Sequence, residues 1–303
     1  MVFIASAAGI LCLATAAAFF GQVWWVLDAV ASFRPQLAAG LVVTALVLMM
    51  GKWRRLSLLA LTGAAVNIAL IAPLYVGPAR PSAGDLRVLS FNLLSSNRHY
   101  EDVISYILNT DADLVVLHEG TRQWERVLTR AGLPYQITAT RATEDLFGTI
   151  VLAPQGSVVQ SFGFGVSDPR AVEVHLPDGV SALAIHPLSP YDASRAALNQ
   201  EQLGFAAEWA GANEGPTVVV GDFNASPWSY GFRRLVTESG LLDSQRGFGL
   251  ELSYPATTIP LFQVSIDHLL HSDDLAVVDR RLGPRLGSDH FPLIVDLALL
   301  TAG

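Results

Sequence analysis

The first 76 residues constrain this chain more than any other feature. Residues 2–21 and 56–76 carry no charged side chain, and each is long enough to cross a bilayer as one helix, which takes about 20 apolar residues. A shorter uncharged run, residues 36–50, lies between them and approaches spanning length when Phe33 and its neighbours join it. Three such runs in succession are costly to hide from water in a soluble core, so they predict three transmembrane helices. A cleaved signal peptide fits the first run poorly, because no basic residue precedes it and further apolar runs follow.

The loops give an orientation. Lys52, Arg54 and Arg55 cluster between the second and third runs, and basic residues favour the cytoplasmic side. The N-terminus is then cytoplasmic, and everything after about residue 77 is extracytoplasmic. Trp24 and Trp25 fall in the outer loop, at the depth where aromatic rings favour the headgroup region. Residues 77–84, rich in Gly and Pro, read as a linker too short to let a following domain wander far. The expected organisation is a membrane anchor over 1–76, a linker over 77–84 and a catalytic domain over 85–303.

Charge divides along the same boundary. Residues 1–80 hold one acid, Asp28, and five bases, whereas residues 81–303 hold 26 acids and 14 bases. A long nucleic acid rewards a basic face, so nucleic acid is disfavoured as a partner, although a bound metal ion can invert the charge at a site. The single cysteine, Cys12, lies in the first apolar run. An extracytoplasmic domain would therefore rest on its core without an internal disulfide.

Beyond residue 85, short β-branched runs bounded by Gly, Pro and Asp predict strands at 86–94, 114–118, 135–140, 148–153, 171–176, 180–186, 217–220, 266–271 and 293–299. Helical spacing marks 102–108, 123–129 and 193–210. Strands interleaved with helices predict a layered α/β domain. Residues 244–264 show little pattern and read as a loop near the site.

Polar residues recur at the strand ends: Asn92, Glu119, His186, Asp222 with Asn224, Asp267 with His268, and Asp289 with His290. Ligands in α/β sheets collect just beyond strand ends. This inventory of carboxylates and amides suits Mg²⁺, with Mn²⁺ as the alternative, and does not suit structural zinc. A carboxylate-bound cation beside a His–Asp pair is a design for phosphate-ester hydrolysis. The cation polarises the phosphoryl oxygens, while a histidine held by an aspartate moves a proton.

The segments Ser90-Phe91-Asn92, Glu119, His186, Gly221-Asp222-Phe223-Asn224, Ser265-Ile266-Asp267-His268 and Gly287-Ser288-Asp289-His290 together resemble the endonuclease/exonuclease/phosphatase family. The resemblance runs over about residues 85–300, and the apolar N-terminus is similar to a membrane-anchored bacterial branch that includes a teicoplanin-resistance membrane protein. The resemblance implies a four-layer α/β sandwich with two packed mixed β-sheets, preceded by three transmembrane helices. It implies that Glu119 and Asn92 hold the metal, with Asp289 near it or near a second ion. Asp222 and Asn224 would position water and phosphate, His290 oriented by Asp267 would act as base or phosphate stabiliser, and His186 would contact the phosphate. Two positions depart from many nucleases of the family: His118 stands where a Gln precedes the metal glutamate, and Ala184 stands where an Asn lies two residues before the first catalytic histidine. Amide contacts to the phosphate therefore differ from theirs. His118 and His268 read as packing residues, and Arg195 as a solvated helix residue.

Three functions are open on sequence grounds. The first is a phosphoesterase acting on phosphate mono- or diesters, lipid-linked ones included, beside the outer membrane lipids. The second is a tethered nuclease. The third is a non-catalytic envelope-binding domain, against which retention of the whole acidic and His set argues.

Overall fold

A computed structural model describes residues 2–140, 148–163 and 170–300. Its N-terminal part is a bundle of α1 (Val2–Ala17), α2 (Trp25–Ala31), α3 (Arg34–Met50) and α4 (Arg54–Ile71), with 3₁₀ turns extending α1 to Phe20 and α4 to Tyr75. Small residues line the contact: Ala8, Ala45, Ala60 and Ala64 pack with Leu41 and Leu48. Small side chains let helix backbones approach closely and pack in van der Waals contact. A buried polar chain ties one end, where Arg34 Nη1 donates to Asn67 Oδ1 (3.0 Å) and Asn67 Nδ2 donates to Thr15 Oγ1 (2.9 Å).

Two of these segments, Val2–Phe20 and Arg54–Tyr75, are long and apolar enough to cross a membrane by themselves. The middle run differs from the expectation of one straight span: α2 and α3 meet at a 68° bend, and only the pair together makes a third candidate. The bend falls just before Pro35, whose ring and missing N–H allow a helix to start there but not to run through.

The remainder forms two six-stranded mixed sheets. The first has the order β11 (Leu275–Leu282), β12 (Leu293–Leu299), β1 (Leu86–Asn92), β2 (Leu114–His118), β4 (Thr149–Ala153) and β3 (Gln136–Thr140). The second has the order β5 (Val158–Gly163), β6 (Arg170–His175), β7 (Ser181–Ile185), β8 (Thr217–Asp222), β10 (Asp267–His271) and β9 (Leu242–Asp243). Only β1–β2 and β7–β8 pair in parallel; the other pairs are antiparallel.

Side chains alternate across a strand, and here both sides are apolar. Val88, Val116 and Val151 of the first sheet meet Val172, Ala182, Val218 and Val220 of the second in one interior. The opposite faces are covered by helices. Leu89, Phe91, Val115 and Leu117 pack under α5 (Tyr100–Thr110) and α6 (Arg122–Arg130) through Val103, Ile107, Trp124 and Leu128. Leu183, Val219 and Leu270 pack under α7 (Ala193–Ala212) and α8 (Tyr230–Ser239) through Leu203, Ala206, Phe232 and Leu235. Helix, sheet, sheet, helix is the expected four-layer sandwich. The sequence patterning assigns nothing to β5, β9, β11 or α8. β5 is a largely exposed edge and β11 an edge carrying Asp279, Arg280 and Arg281, so neither presents the continuous apolar run of a central strand.

The bundle and the sandwich touch directly. Tyr230 N–H donates to Asp28 Oδ1 (2.6 Å), Trp228 Nε1–H to the Leu70 carbonyl (3.0 Å) and Gln36 Nε2–H to the Gln263 carbonyl (2.7 Å). The Gly247 and Gly249 N–H groups both donate to the Leu74 carbonyl (2.9 and 2.7 Å). Ala18, Ala31, Leu74 and Trp228 form a small apolar core across this joint. All these contacts lie at one end of the bundle; Lys52, Arg54 and Arg55 lie in and after the turn at the other.

Candidate active site

Strand direction gathers the site. The parallel strands β1 and β2 end together, with Asn92 opposite His118 in register. Glu119 follows. The parallel strands β7 and β8 end with His186 just beyond Ile185 and with Asp222. β10 runs the other way and opens with Asp267 directly opposite Asp222. His290 sits in the turn before β12. Six chain segments thus deliver polar ends to one edge of the two-sheet sandwich.

The backbone is specialised there. Glu119 and Asn224 adopt positive φ (53° and 49°), an uncommon region for residues with a side chain and one that concentrates at functional sites. Gly221 has φ +149°, and a Cβ at this position would lie 2.0 Å from the Ile185 carbonyl and 2.6 Å from His118 Nε2. The glycine of the Gly-Asp-x-Asn motif is therefore required by close approach of β7 and by the neighbouring histidine.

Asp222 lies at the centre. Its Oδ1 accepts from the Asn224 N–H (2.9 Å), and its Oδ2 accepts from Asn92 Nδ2 (3.1 Å). The same Asn92 amide donates to Glu119 Oε1 (3.2 Å), while Glu119 Oε2 accepts from the Ser95 N–H (3.0 Å). His186 Nε2 and His290 Nε2 stand 3.5 and 3.6 Å from Asp222 Oδ2. On its far side His290 Nδ1 meets Asp267 Oδ2 at 2.9 Å. Burial disfavours a charged His290, but Asp267, Asp222 and Asp289 outweigh it and push its pKa up to about 10. These carboxylates favour the protonated ring. Burial likewise penalises Asp267, yet the charge and hydrogen bond of His290 hold it below the usual carboxylate range. Asp222 goes the other way: burial, helped by Asp267, raises it despite His290 and His186.

Asn224 turns its side-chain amide to the Pro187 carbonyl (3.0 Å). Asp289 accepts the Ala256 N–H through its backbone oxygen (2.6 Å), and its side chain stays near Ser288 Oγ (3.5 Å). His118 is fully buried against Thr149, its ring 5.2 Å from His186, and burial with the two neighbouring histidines drives its pKa well down. His268 packs between Phe223 and Phe232, donates from Nε2 to the Ala225 carbonyl (2.9 Å), and burial brings its pKa to about 4. Arg195 Nε donates to the Ser189 carbonyl, with its guanidinium over Tyr191.

Several supporting roles were not evident from sequence. Ser288 Oγ donates to the Asn92 carbonyl (2.7 Å) and accepts the His290 N–H (3.0 Å), joining the first strand to the last turn. Ser253 Oγ accepts the Asp267 N–H (3.3 Å), and Arg280, buried, binds Glu251 and the Asp267 carbonyl. The Tyr254 ring lies 4.7 Å from the His290 ring. The patternless stretch 244–264 gave no local signal for Tyr254 or Ser253, whose roles depend on the fold bringing that loop over His290.

The donor set fits a divalent cation. Its free groups are hard oxygens, the ligand type that Mg²⁺ prefers, and Asp267 Oδ1 is buried with no hydrogen-bond partner. One atom each from Asp222, Asp267 and His290 lie within 4.8 Å of one another. This acid–histidine group differs from the expected ligand set of Glu119, Asn92 and Asp289. Glu119 lies beside it, joined to Asp222 through the Asn92 amide.

A family model described as the Endonuclease/Exonuclease/phosphatase family matches residues 89–290, more than half of the chain and the whole of this strand-end set. The chain belongs to the endonuclease/exonuclease/phosphatase family. Family members are metal-dependent hydrolases of phosphoric ester bonds, and this chain is such a hydrolase. Solved structures of the family fold superpose on its sandwich. TDP2 of D. rerio complexed with a single-strand DNA product is 14% identical, with 70% of this chain and 98% of that chain covered at a TM-score of 0.57. A mannosyl-6-phosphatase of Bacteroides thetaiotaomicron is 15% identical, covering 71% and 100% at 0.52. The human Nocturnin catalytic domain with a bound sulfate anion is 16% identical, covering 71% and 94% at 0.53. At these identities the likeness speaks for the fold alone. No curated protein matches the chain.

Proposed function

We propose that this protein is a membrane-anchored phosphoesterase that hydrolyses phosphate mono- or diesters, lipid-linked phosphates among them, at the extracytoplasmic face. The observation that carries the reading is the joint between anchor and sandwich. Asp28, Gln36, Leu70 and Leu74 all contact the catalytic domain at the end of the bundle opposite Lys52, Arg54 and Arg55. Basic residues favour the cytoplasm, so the domain lies outside. The direct contacts hold the catalytic edge within reach of headgroups, and the net-acidic surface favours a small phosphate ester over a long nucleic acid.

Glu119 and Asn92, with Asp289, are the residues we assign to a Mg²⁺ ion. When bound, the ion supplies Lewis-acid polarisation of the phosphoryl oxygens and offsets their developing charge. Asp222, with its raised pKa and its hydrogen bond to the Asn224 backbone, is suited to take the proton of the attacking water. His290 is already protonated, so it serves as the phosphate stabiliser rather than as the base. Its Nδ1 is anchored on Asp267, leaving Nε2–H to face Asp222 and the substrate. His186 Nε2 faces the same point from the second sheet. Water then forms the new P–O bond as the ester P–O bond breaks, and the departing oxygen is protonated from solvent.

The test is phosphate release by the full chain in detergent, from lipid phosphates, lipid diphosphates and DNA, with Mg²⁺ and with EDTA. Metal-dependent turnover of a lipid phosphate supports the reading; turnover of DNA alone refutes it. Topology is checked separately with reporters fused after residues 52 and 300, and the same side for both refutes the orientation.

A further inference from the structure

The loop between β9 and β10 joins the catalytic centre to the membrane end of the bundle. There is no charged residue between Glu251 and Asp267, in a domain that is otherwise rich in acids. At one end Tyr254 lies against His290, and Ala256 N–H donates to the Asp289 carbonyl. At the other, the Gln263 carbonyl accepts from Gln36, in the first turn of α3. Between them a 3₁₀ turn, Pro260–Phe262, presents Ile259, Leu261 and Phe262 at 60%, 55% and 61% exposure.

This exposure is built in. Tyr254 and Val264 bridge the base of the loop, and the buried Gln263 side chain donates to the Pro255 and Thr258 carbonyls. Backbone polar groups are thus satisfied inward while three large apolar side chains point outward. Contiguous apolar exposure of this kind on a folded loop marks a contact surface. Val23, Trp24 and Phe33, at the same end of the bundle, are exposed as well. The apolar tip therefore lies on the loop that meets the first turn of α3 through Gln36 and Gln263.

We infer that Ile259, Leu261 and Phe262 form an arm that beds in the acyl region of the bilayer the helices cross, so that the catalytic cleft takes a phosphate ester carried by a lipid. This deepens the function proposed above and rests on it for both the membrane anchor and the substrate. The arm is tied to both Asp289 and Tyr254, so its seating sets the height of His290 over the headgroups. Amphipathic surface elements use the same combination of buried apolar side chains and a polar base.

The insertion is tested with Phe262→Cys in a Cys12→Ala background, spin-labelled and reconstituted in phosphatidylcholine vesicles. Val158→Cys, on the opposite edge of the second sheet, is the aqueous control. The label at 262 is expected to be relaxed more by oxygen than by a water-soluble nickel chelate, with the reverse at 158. Access of the nickel chelate to 262 overturns the inference, and so does shielding from both relaxants, which would mark a protein partner. The substrate class is tested with Leu261→Ser/Phe262→Ser. The expected result is at least a tenfold loss of kcat/KM on a vesicle-borne lipid phosphate and less than a twofold change on a water-soluble aryl phosphate. Equal loss on both, or wild-type turnover of the aryl ester without the lipid one, overturns it. No turnover of either substrate by the wild type counts against the proposed function, while the spin-label readout still decides the insertion.

Discussion

Asp267→Asn isolates the electrostatic arrangement on which the site depends. In the folded protein His290 has a pKa pushed from 6.5 to about 10, a step worth about 5 kcal/mol of preference for the imidazolium. That figure is a ceiling, because Asp222 is strained in the opposite sense by the same burial. A raised histidine contributes its stabilisation fully below pH 6.5 and loses it as pH climbs through about 10. The depressed Asp267 contributes above its unfolded value near 3.8 and loses it as pH falls through its lower folded value. The pair therefore stabilises the protein across the neutral range. Removing one partner of a buried pair costs about 3–5 kcal/mol, which for a domain of this size lowers Tm by roughly 6–20 °C. The assay is thermal unfolding of the full chain in detergent with EDTA, followed by near-UV circular dichroism at pH 7 and pH 10. The wild type should exceed the variant by that margin at pH 7, and the gap should narrow at pH 10, where the wild-type imidazolium is also being lost. A difference below about 1 kcal/mol at pH 7, or an equal gap at both pH values, refutes the reasoning.

Other perturbations bear on separate parts of the site. His290→Ala should lower kcat by about 10²–10⁴-fold, and Glu119→Gln should do so while abolishing activation by Mg²⁺, with the circular dichroism spectrum unchanged in each; near-wild-type turnover refutes the assignment. Gly221→Ala forces a Cβ against the Ile185 carbonyl, and should destabilise by about 1–3 kcal/mol or more, read as a lowered Tm. Saturating Mg²⁺ at about 100 times its Kd should raise stability by about 2.7 kcal/mol over the EDTA form, and Glu119→Gln should remove that increment. Trp228→Phe, which leaves the Leu70 carbonyl without its donor, should increase proteolytic cutting at residues 77–84 without altering turnover of a soluble phosphate ester.

What the sequence made legible follows its physical periodicities. Central strands such as β1, β2 and β8 are buried on both faces, so they read as continuous apolar runs ending in a polar residue, and those endings became Asn92, Glu119 and Asp222. The edges were less visible because their residues serve solvent on one side: β11 carries Asp279-Arg280-Arg281, and the central one of those, Arg280, is the buried support of Asp267. Its importance lies in a contact between β11 and β10 of different sheets, which no local pattern encodes. The expected metal ligands and the tight acid–histidine cluster also separate for a non-local reason. Antiparallel pairing sets Asp267 against Asp222, and that register is invisible until both strands are placed.

Asp28 shows how the two halves become one machine. It is the sole acid among the first 80 residues, an isolated acid in an apolar segment, and such a residue is costly away from water unless it has a partner. Its partner is the catalytic domain: its carboxylate accepts the N–H of Tyr230, the first residue of α8, whose N-terminus is already capped by Ser229. The first N–H groups of a helix have no intrahelical acceptor, and they carry the positive end of the helix dipole. The bundle therefore supplies a side-chain acceptor to a helix that packs under β8 and β10, the strands that present Asp222 and Asp267. A neutral residue at 28 would leave that N–H without its acceptor and loosen the joint where α8 begins. The charge asymmetry between the halves thus has a structural use, since the one acid of the first 80 residues ties the helical bundle to the first turn of α8.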